Sequence, residues 1–465
     1  MKILFATSEA APYWKTGGLA DVARALPDEL VARGHDVRIV HPYYRVVRER
    51  GDPVTVLGVE HLPWPSGGMP VRYLEHRPER GATTVFVDQP YFFDVAAPYG
   101  PTRFDSFAAG RRFALFCRAI VRWARTWGAD VVHLNDWPTG LVPVYGRIDG
   151  LGAPTVFAIH NLAYQGNFPP SILGEIGVPD EYFRTEGGVE FYGTASFMKA
   201  GLALSDRLVT VSPTYAEEIQ TPEYGAGMDG LLRHRRGVLE GILNGIDPRT
   251  WNPATDEAIE ANYDEMRLHE KERNREALLA EVGLDGAGPV LAMVSRLVEQ
   301  KGIDLVVSAL PELLQIGARL LVLGDGDLHY EQALARAVAD HPRRVAAFFR
   351  FDDRLARRIY AGADFFLMPS HYEPCGLGQM IAQRYGTPPI VRQTGGLKDT
   401  VEDDWTGFVF RSPEPAALVS AVDRAVRLWN GEGVESMRRR CMQLDWSWHR
   451  SAGRYEALYE AALAG

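Results

Sequence analysis

Several groups of residues have the types and spacing to act on a charged, oxygen-rich ligand. Lys15 directly precedes Thr16-Gly17-Gly18-Leu19, and Asp21 follows shortly after. If this loop opens a helix, the amides around Gly17 and Gly18 face an anion at the positive end of the helix dipole, and Lys15 adds a formal charge. A glycine turn beside a surface lysine is the plainer reading. The same tetrapeptide recurs at Thr394-Gly395-Gly396-Leu397, again followed by an aspartate, Asp399.

Arg296 and Lys301 stand in Ser-Arg-Leu-Val-Glu-Gln-Lys-Gly, just beyond an apolar run. Two cations at such a place suit a diphosphate whose charge rises as it departs, although two solvated surface cations have the same spacing. Glu373 lies in Pro-Ser-His-Tyr-Glu-Pro-Cys-Gly-Leu-Gly, where Pro374, Gly376 and Gly378 shape a turn. A carboxylate there can bind sugar hydroxyls or stabilise positive charge at a reacting carbon; alone, it is a solvated or capping residue. Cys375 has no identified base and reads as a packing residue rather than a nucleophile.

Asp136 and His160 each close an apolar run, so the two meet if those runs are neighbouring strands. A histidine without such company is a structural residue, as is expected of His133 inside the first of these runs. Asp325 and Asp327 alternate with glycines and read as turn residues rather than metal ligands.

Such residues cooperate only if the fold brings them to one edge. Lys2 to Thr7 is predicted as a buried strand, Leu19, Val22, Leu26 and Leu30 recur at helical spacing, and Val37 to Val40 forms the next strand, which makes a βαβ unit. Further strands are predicted at 131–134, 155–159 and 208–211. The pattern begins again at 290–294, 320–323, 346–349, 365–368 and 389–391, with helices predicted at 305–316 and 355–361. The expected fold class is α/β: two doubly wound, Rossmann-like domains with parallel sheets, facing across a cleft. Ligands of such sheets bind beyond the carboxyl ends of the strands, where every candidate named above stands. The turn-rich stretch 246–253 is a natural linker.

A length of 465 residues exceeds what one core usually serves, and 46% hydrophobic with 24% charged residues is an ordinary globular composition. A net charge of −10 argues against nucleic acid as a partner. Cys117, Cys375 and Cys441 are too scattered for a disulfide framework or a zinc site. Glu9 interrupts the N-terminus before a signal core can form, and no run reaches membrane-spanning length, so a cytoplasmic protein is expected. The absence of Gly-x-Gly-x-x-Gly and of a Walker lysine motif disfavours a dinucleotide-dependent oxidoreductase and a P-loop hydrolase.

Taken together, Lys-Thr-Gly-Gly-Leu-Ala-Asp-Val (15–22), His-Asn (160–161), Asn-Gly-Ile-Asp (244–247), Ser-Arg-Leu with Lys-Gly (295–302), Glu-Pro-Cys-Gly-Leu (373–377) and the stretch 385–401 resemble the bacterial glycogen synthase and plant starch synthase family. The likeness runs in order over almost the whole chain. It implies a two-domain glycosyltransferase of the B type that moves glucose from ADP-glucose to the non-reducing end of an α-1,4-glucan, glycogen or a maltooligosaccharide, with retention of configuration. It also implies that no metal or other cofactor is required, with Arg296 and Lys301 neutralising the leaving diphosphate.

By the same resemblance Glu373, His160 and Asn244 contact the donor glucose, Asp136 lies on the acceptor side, and Phe351 stacks on the base. Lys15, Gly17, Gly18 and Asp21 belong to the loop that grips the donor phosphates. Cys375, Gly376, Leu377 and Gly378, with Thr394, Gly395 and Gly396, complete the donor pocket. The implied domains are 1–243, the acceptor side, completed by a C-terminal helix at 446–465, and 244–445, the donor side.

Several positions depart from the family pattern: Gly378 for a threonine, His371 and Tyr372 for arginine and phenylalanine, Leu134 and Asn135 before Asp136, and 91–100 without its basic residue. Two other readings share these motifs: a retaining transferase making a small glucoside or maltose phosphate, and an inactive glucan-binding homologue.

Overall fold

Short runs of Val, Ile, Leu and Phe, closed by polar turns, build two sheets in the computed structural model, which describes residues 1–96, 98–99 and 106–465. Residues 97 and 100 of the stretch 91–100 lie outside the described residues. The chain divides into two compact units, Met1–Asn244 with Trp448–Gly465, and Gly245–Ser447.

The first unit contains β1 (Lys2–Ala6), β2 (Asp36–Pro42), β3 (Thr55–Leu62), β4 (Met69–His76), β5 (Thr83–Asp88), β6 (Val131–Asn135) and β7 (Thr155–Ile159). A small antiparallel sheet follows, made of β8 (Asn167–Phe168), β9 (Glu190–Phe191) and β10 (Thr194–Ser196), and then β11 (Arg207–Thr210) and β12 (Leu239–Gly241). The large sheet has the order β12-β11-β7-β6-β1-β2-β5-β4-β3. β1 pairs in parallel with both β2 and β6, so the winding reverses between β1 and β6. The sheet is not parallel throughout, as the sequence pattern predicted: β4 runs antiparallel to β3 and β5. The segments between these strands hold turns and no crossover helix, and a hairpin is what so short a connection permits.

Two of the helices that pack on this sheet are the first and the last of the unit. Gly18–Ala32 buries Ala20, Val22, Ala23, Leu26 and Leu30 at helical spacing. The last helix, Trp448–Ala464, buries Trp448, Ala452, Tyr455 and Tyr459. It starts two residues later than the sequence suggested because Trp446 is tied elsewhere: its Nε1 donates to Gln383, and its carbonyl accepts from Ile246.

The second unit has β13 (Val290–Val294), β14 (Arg319–Leu323), β15 (Val345–Phe348), β16 (Phe365–Met368), β17 (Pro389–Arg392) and β18 (Phe408–Phe410). All are parallel, in the order β15-β14-β13-β16-β17-β18, and the winding reverses between β13 and β16. The helix Ile303–Gln315 covers one face through Ile303, Val306, Leu310 and Leu313. Among the described residues no helix is long and apolar enough to cross a membrane.

Candidate functional site

In the second unit the two strands at the switch point each end in a chemically active side chain. Beyond β13, the turn Glu299–Lys301 presents Lys301; beyond β16, the chain presents Glu373. Lys301 Nζ donates to Glu373 Oε2 at 2.6 Å, and Ser370 Oγ donates to the same oxygen at 3.0 Å. Both partners are largely buried, so the pair is screened far less than a surface pair. The next turn is held by Arg392, which donates to the carbonyls of Ser370 and His371. His371, one of the departures from the family pattern, pairs with Asp304 at 2.9 Å.

The second Thr-Gly-Gly-Leu is built into this turn. A Cβ on Gly395 would lie 1.9 Å from the Glu373 carbonyl oxygen, and one on Gly396 would lie 2.2 Å from that of Cys375. The Gly396 amide donates to the Glu373 carbonyl at 3.1 Å. These glycines let one backbone lie against another, with buried Thr394 opening the helix Gly395–Thr400. Cys375 is buried, Gly376 takes the left-handed conformation, and Leu377 precedes the helix Gly378–Arg384. A Cβ on Gly378 would meet the Phe366 ring at 3.0 Å, a tight contact that a larger residue there would relieve only by shifting the ring.

Arg296 is exposed on the loop after β13. That loop is pinned to the one after β14: the Leu297 amide donates to Asp325 and the Asp327 amide to Leu297, both at 2.8 Å. Asp325 and Asp327 thus act as turn residues. Phe351, beyond β15, is 80% exposed, a ring offered to a ligand rather than to the core. All these groups stand at the carboxyl edge of one parallel sheet.

The first unit repeats the plan at its own switch point. Beyond β1 the chain forms a loop that enters the helix Gly18–Ala32; Gly17 precedes it with no side-chain cap. A Cβ on Gly17 would meet nothing within 4 Å, and its φ of −160° suits any residue. The fold therefore does not require this glycine, and its missing side chain leaves the helix amides open to a ligand. Lys15 pairs with Asp21 at 2.8 Å across the mouth of the loop.

In the sequence Glu9 is only a charge that interrupts the N-terminus. Here it organises the loop: its carboxylate accepts from the Thr16 amide at 2.7 Å, the Thr16 hydroxyl at 2.6 Å and the Tyr99 hydroxyl at 2.7 Å. Its position directly beyond the first strand was the available signal. Ser370, the second donor to Glu373, was likewise not singled out.

Beyond β6, Asp136 adopts φ 55°, a strained conformation for a non-glycine residue. Its Oδ1 accepts from the His160 amide at 2.8 Å, so the predicted meeting of the two occurs. Burial pushes the Asp136 carboxyl up to about 7, against the pull of the His160 and Asn161 amides and with help from the Glu9 charge. His160 is pushed down to about 4 by burial. Asn135 Nδ2 donates to the Ala6 carbonyl, which turns its Oδ1 toward His160 Nε2 at 2.8 Å. The neutral ring thus carries its proton on Nε2 and leaves Nδ1 as an acceptor.

His133 is structural: it stacks on Phe5 at 4.4 Å and bonds Tyr459 of the last helix at 3.0 Å. Asn244, beyond β12, is buried, and its Oδ1 has no hydrogen-bond partner among the described residues. An orphaned buried acceptor is costly unless a ligand completes it. Among the described residues no group of three or more His, Cys, Asp or Glu is arranged to hold a metal ion.

Residues 2–234 match the family described as starch synthase catalytic domain, and residues 274–442 match glycosyl transferases group 1. A glycogen synthase of Syntrophotalea carbinolica is 45% identical over 100% of this chain and 99% of its own length. One from Aromatoleum aromaticum is 46% identical over 100% and 97%. Among solved structures, the catalytic domain of starch synthase IV from Arabidopsis thaliana, bound to ADP and acarbose, superposes with a TM-score of 0.90. It is 31% identical and covers 100% of this chain and 99% of that one. A sucrose-phosphate synthase from Thermosynechococcus elongatus, 19% identical with a TM-score of 0.62 and covering 100% and 99%, shares the fold.

Proposed function

The chain belongs to the starch synthase and glycogen synthase family, and from that premise we propose how its residues transfer glucose from ADP-glucose to the non-reducing end of an α-1,4-glucan with retention of configuration. The observation that carries the reading is the buried Lys301–Glu373 pair at the switch point of the second unit. When the bond from the glucose C1 to the diphosphate breaks, negative charge grows on the phosphate oxygen and positive charge on the sugar carbon. An ammonium and a carboxylate held 2.6 Å apart answer both charges without reorganising.

In the second unit Arg296 adds to the neutralisation of the diphosphate, so the reading calls for no metal; in the first unit Lys15 and the amides at Gly17 and Gly18 suit an anion. Phe351 offers a ring face to the base. Within the first unit, the acceptor nitrogen of His160 and the Asn244 oxygen suit hydroxyl donors of a sugar. Asp136, near half protonation at neutral pH, suits the incoming acceptor hydroxyl. A free nucleotide sugar and a soluble glucan are cytoplasmic substrates, and the net charge of −10 gives no footing for nucleic acid.

Incubation with labelled ADP-glucose and glycogen tests the proposal. Label in amylase-sensitive polymer supports it; label confined to a small glucoside supports the neighbouring reading, and none at all supports an inactive homologue.

A further inference from the structure

The hairpin between β9 and β10 turns through Tyr192 and Gly193 at φ 44° and 80°, with Phe191 paired to Thr194 across it. A two-residue turn of this hand favours Asn-Gly, and a tyrosine in its first position is strained. The fold offers the ring little in return: Tyr192 is 82% exposed and rests on Phe191 with ring centres 4.8 Å apart.

The tip is nevertheless tied down by hydrogen bonds. Glu190 accepts from the Gly193 amide at 2.8 Å and from the Thr185 hydroxyl at 2.8 Å, while Lys199 donates to the carbonyls of Thr185 and Glu190. A strained, exposed aromatic on an over-determined hairpin is shaped for something outside the fold.

Its surroundings lead to the Asp136 edge. Gly227 backs the ring, since a Cβ there would lie 3.3 Å from Tyr192. The neighbouring Ala226 carbonyl accepts from Gln165 Nε2 at 2.8 Å. Gly166, next in the chain, abuts Trp137 so closely that a Cβ would lie 2.3 Å from its ring, and Trp137 follows Asp136. Tyr164, half exposed, directly precedes Gln165 in the chain.

We propose that Tyr192, with Tyr164, forms a platform on which the acceptor glucan lays sugar rings upstream of its reacting end. Aromatic faces suit the apolar C–H face of a glucose ring, and the exposed Asn167 amide on β8 of the same small sheet suits its hydroxyls. The inference rests on the glucan-transfer reading and extends it to a defined surface of the first unit.

The test uses Tyr192→Asn, which removes the ring while suiting the turn, so folding is preserved, and Tyr192→Trp, which keeps an aromatic face. Rates are measured against maltoheptaose and glycogen at saturating ADP-glucose, then against ADP-glucose at saturating glycogen. The expected result for Tyr192→Asn is an acceptor KM raised about five- to tenfold, as for loss of one interface anchor, with the ADP-glucose KM unchanged and Tyr192→Trp close to the parent. An unchanged acceptor KM in Tyr192→Asn, or an equal rise in the ADP-glucose KM, overturns the inference. Calorimetric titration of maltoheptaose without donor separates it from the underlying reading. Weaker binding by Tyr192→Asn supports the platform whatever the turnover, and equal binding overturns it; a parent protein that binds maltoheptaose but transfers no glucose overturns the function alone.

Discussion

The Lys301 ammonium lies 2.6 Å from the Glu373 carboxylate, and the two residues stand in the loops that follow the strands between which the second sheet reverses its winding. Glu373 also accepts from Ser370, so removal of the lysine leaves a buried carboxylate with one neutral donor. Lys301→Ala is expected to lower kcat about 10²- to 10³-fold, as for loss of one transition-state charge contact. It should also cost about 1–3 kcal/mol of stability by leaving Glu373 under-satisfied. Adding Glu373→Gln should recover part of the lost stability and none of the activity. Steady-state rates with denaturant titrations check both, and an active, fully stable Lys301→Ala removes the pair from the mechanism.

The two Thr-Gly-Gly-Leu copies should respond differently to the same change. Gly395→Ala forces a methyl toward the Glu373 carbonyl at a backbone with φ 43°, and is expected to cost about 3 kcal/mol or more. Gly17→Ala meets open space, so its stability should change by less than about 0.5 kcal/mol while ADP-glucose binding weakens. Melting curves and calorimetry on the two variants suffice; equal destabilisation contradicts the assignment.

These copies also mark what the sequence can and cannot convey. Identical tetrapeptides look equivalent in one dimension, and only the approach of Glu373 and Cys375 to Gly395 and Gly396 separates a packing device from an open loop. Buried strands such as Val290–Val294 and Thr155–Ile159 were legible because every side chain is apolar or covered, and their turns follow at once. The strand Thr55–Leu62 was not: it sits at the sheet edge with Val56 and Val59 exposed, a register shift interrupts its pairing near Gly58, and its alternation carries little burial signal. The strand Phe408–Phe410 is too short to show a period. The Lys301–Glu373 contact joins residues 72 apart, and Glu9 reaches Thr16 through a loop, so neither partner is visible from spacing.

Asp136 supplies a pH signature. Its carboxyl is held up to about 7, whereas it titrates near about 3.9 in an unfolded chain. Between those values the folded chain keeps a proton that the unfolded chain has released. The stability this group contributes is therefore full below the unfolded value and is lost as pH rises through about 7. Asp136→Asn abolishes that slope, and Asn tolerates the positive φ. Its melting temperature should exceed the parent's by a margin that grows from about pH 5 to about pH 8, while transfer falls. A margin independent of pH contradicts the raised carboxyl.

Phe351 is placed to affect binding without touching stability. With 80% of its surface exposed, Phe351→Ala should leave the melting temperature unchanged and raise the ADP-glucose KM about three- to tenfold, the loss of one stacking contact. A drop in stability with an unchanged KM would return this ring to the protein's own packing.

Transfer of glucose from ADP-glucose to a glucan is read by a donor competition. Glycogen is incubated with equal amounts of ADP-glucose and UDP-glucose carrying different isotopes, and polymer is recovered after brief reaction. The polymer is expected to take its label overwhelmingly from ADP-glucose, and the Glu373→Gln variant to incorporate almost none. Label chiefly from UDP-glucose, or no label in polymer from either donor, would contradict it.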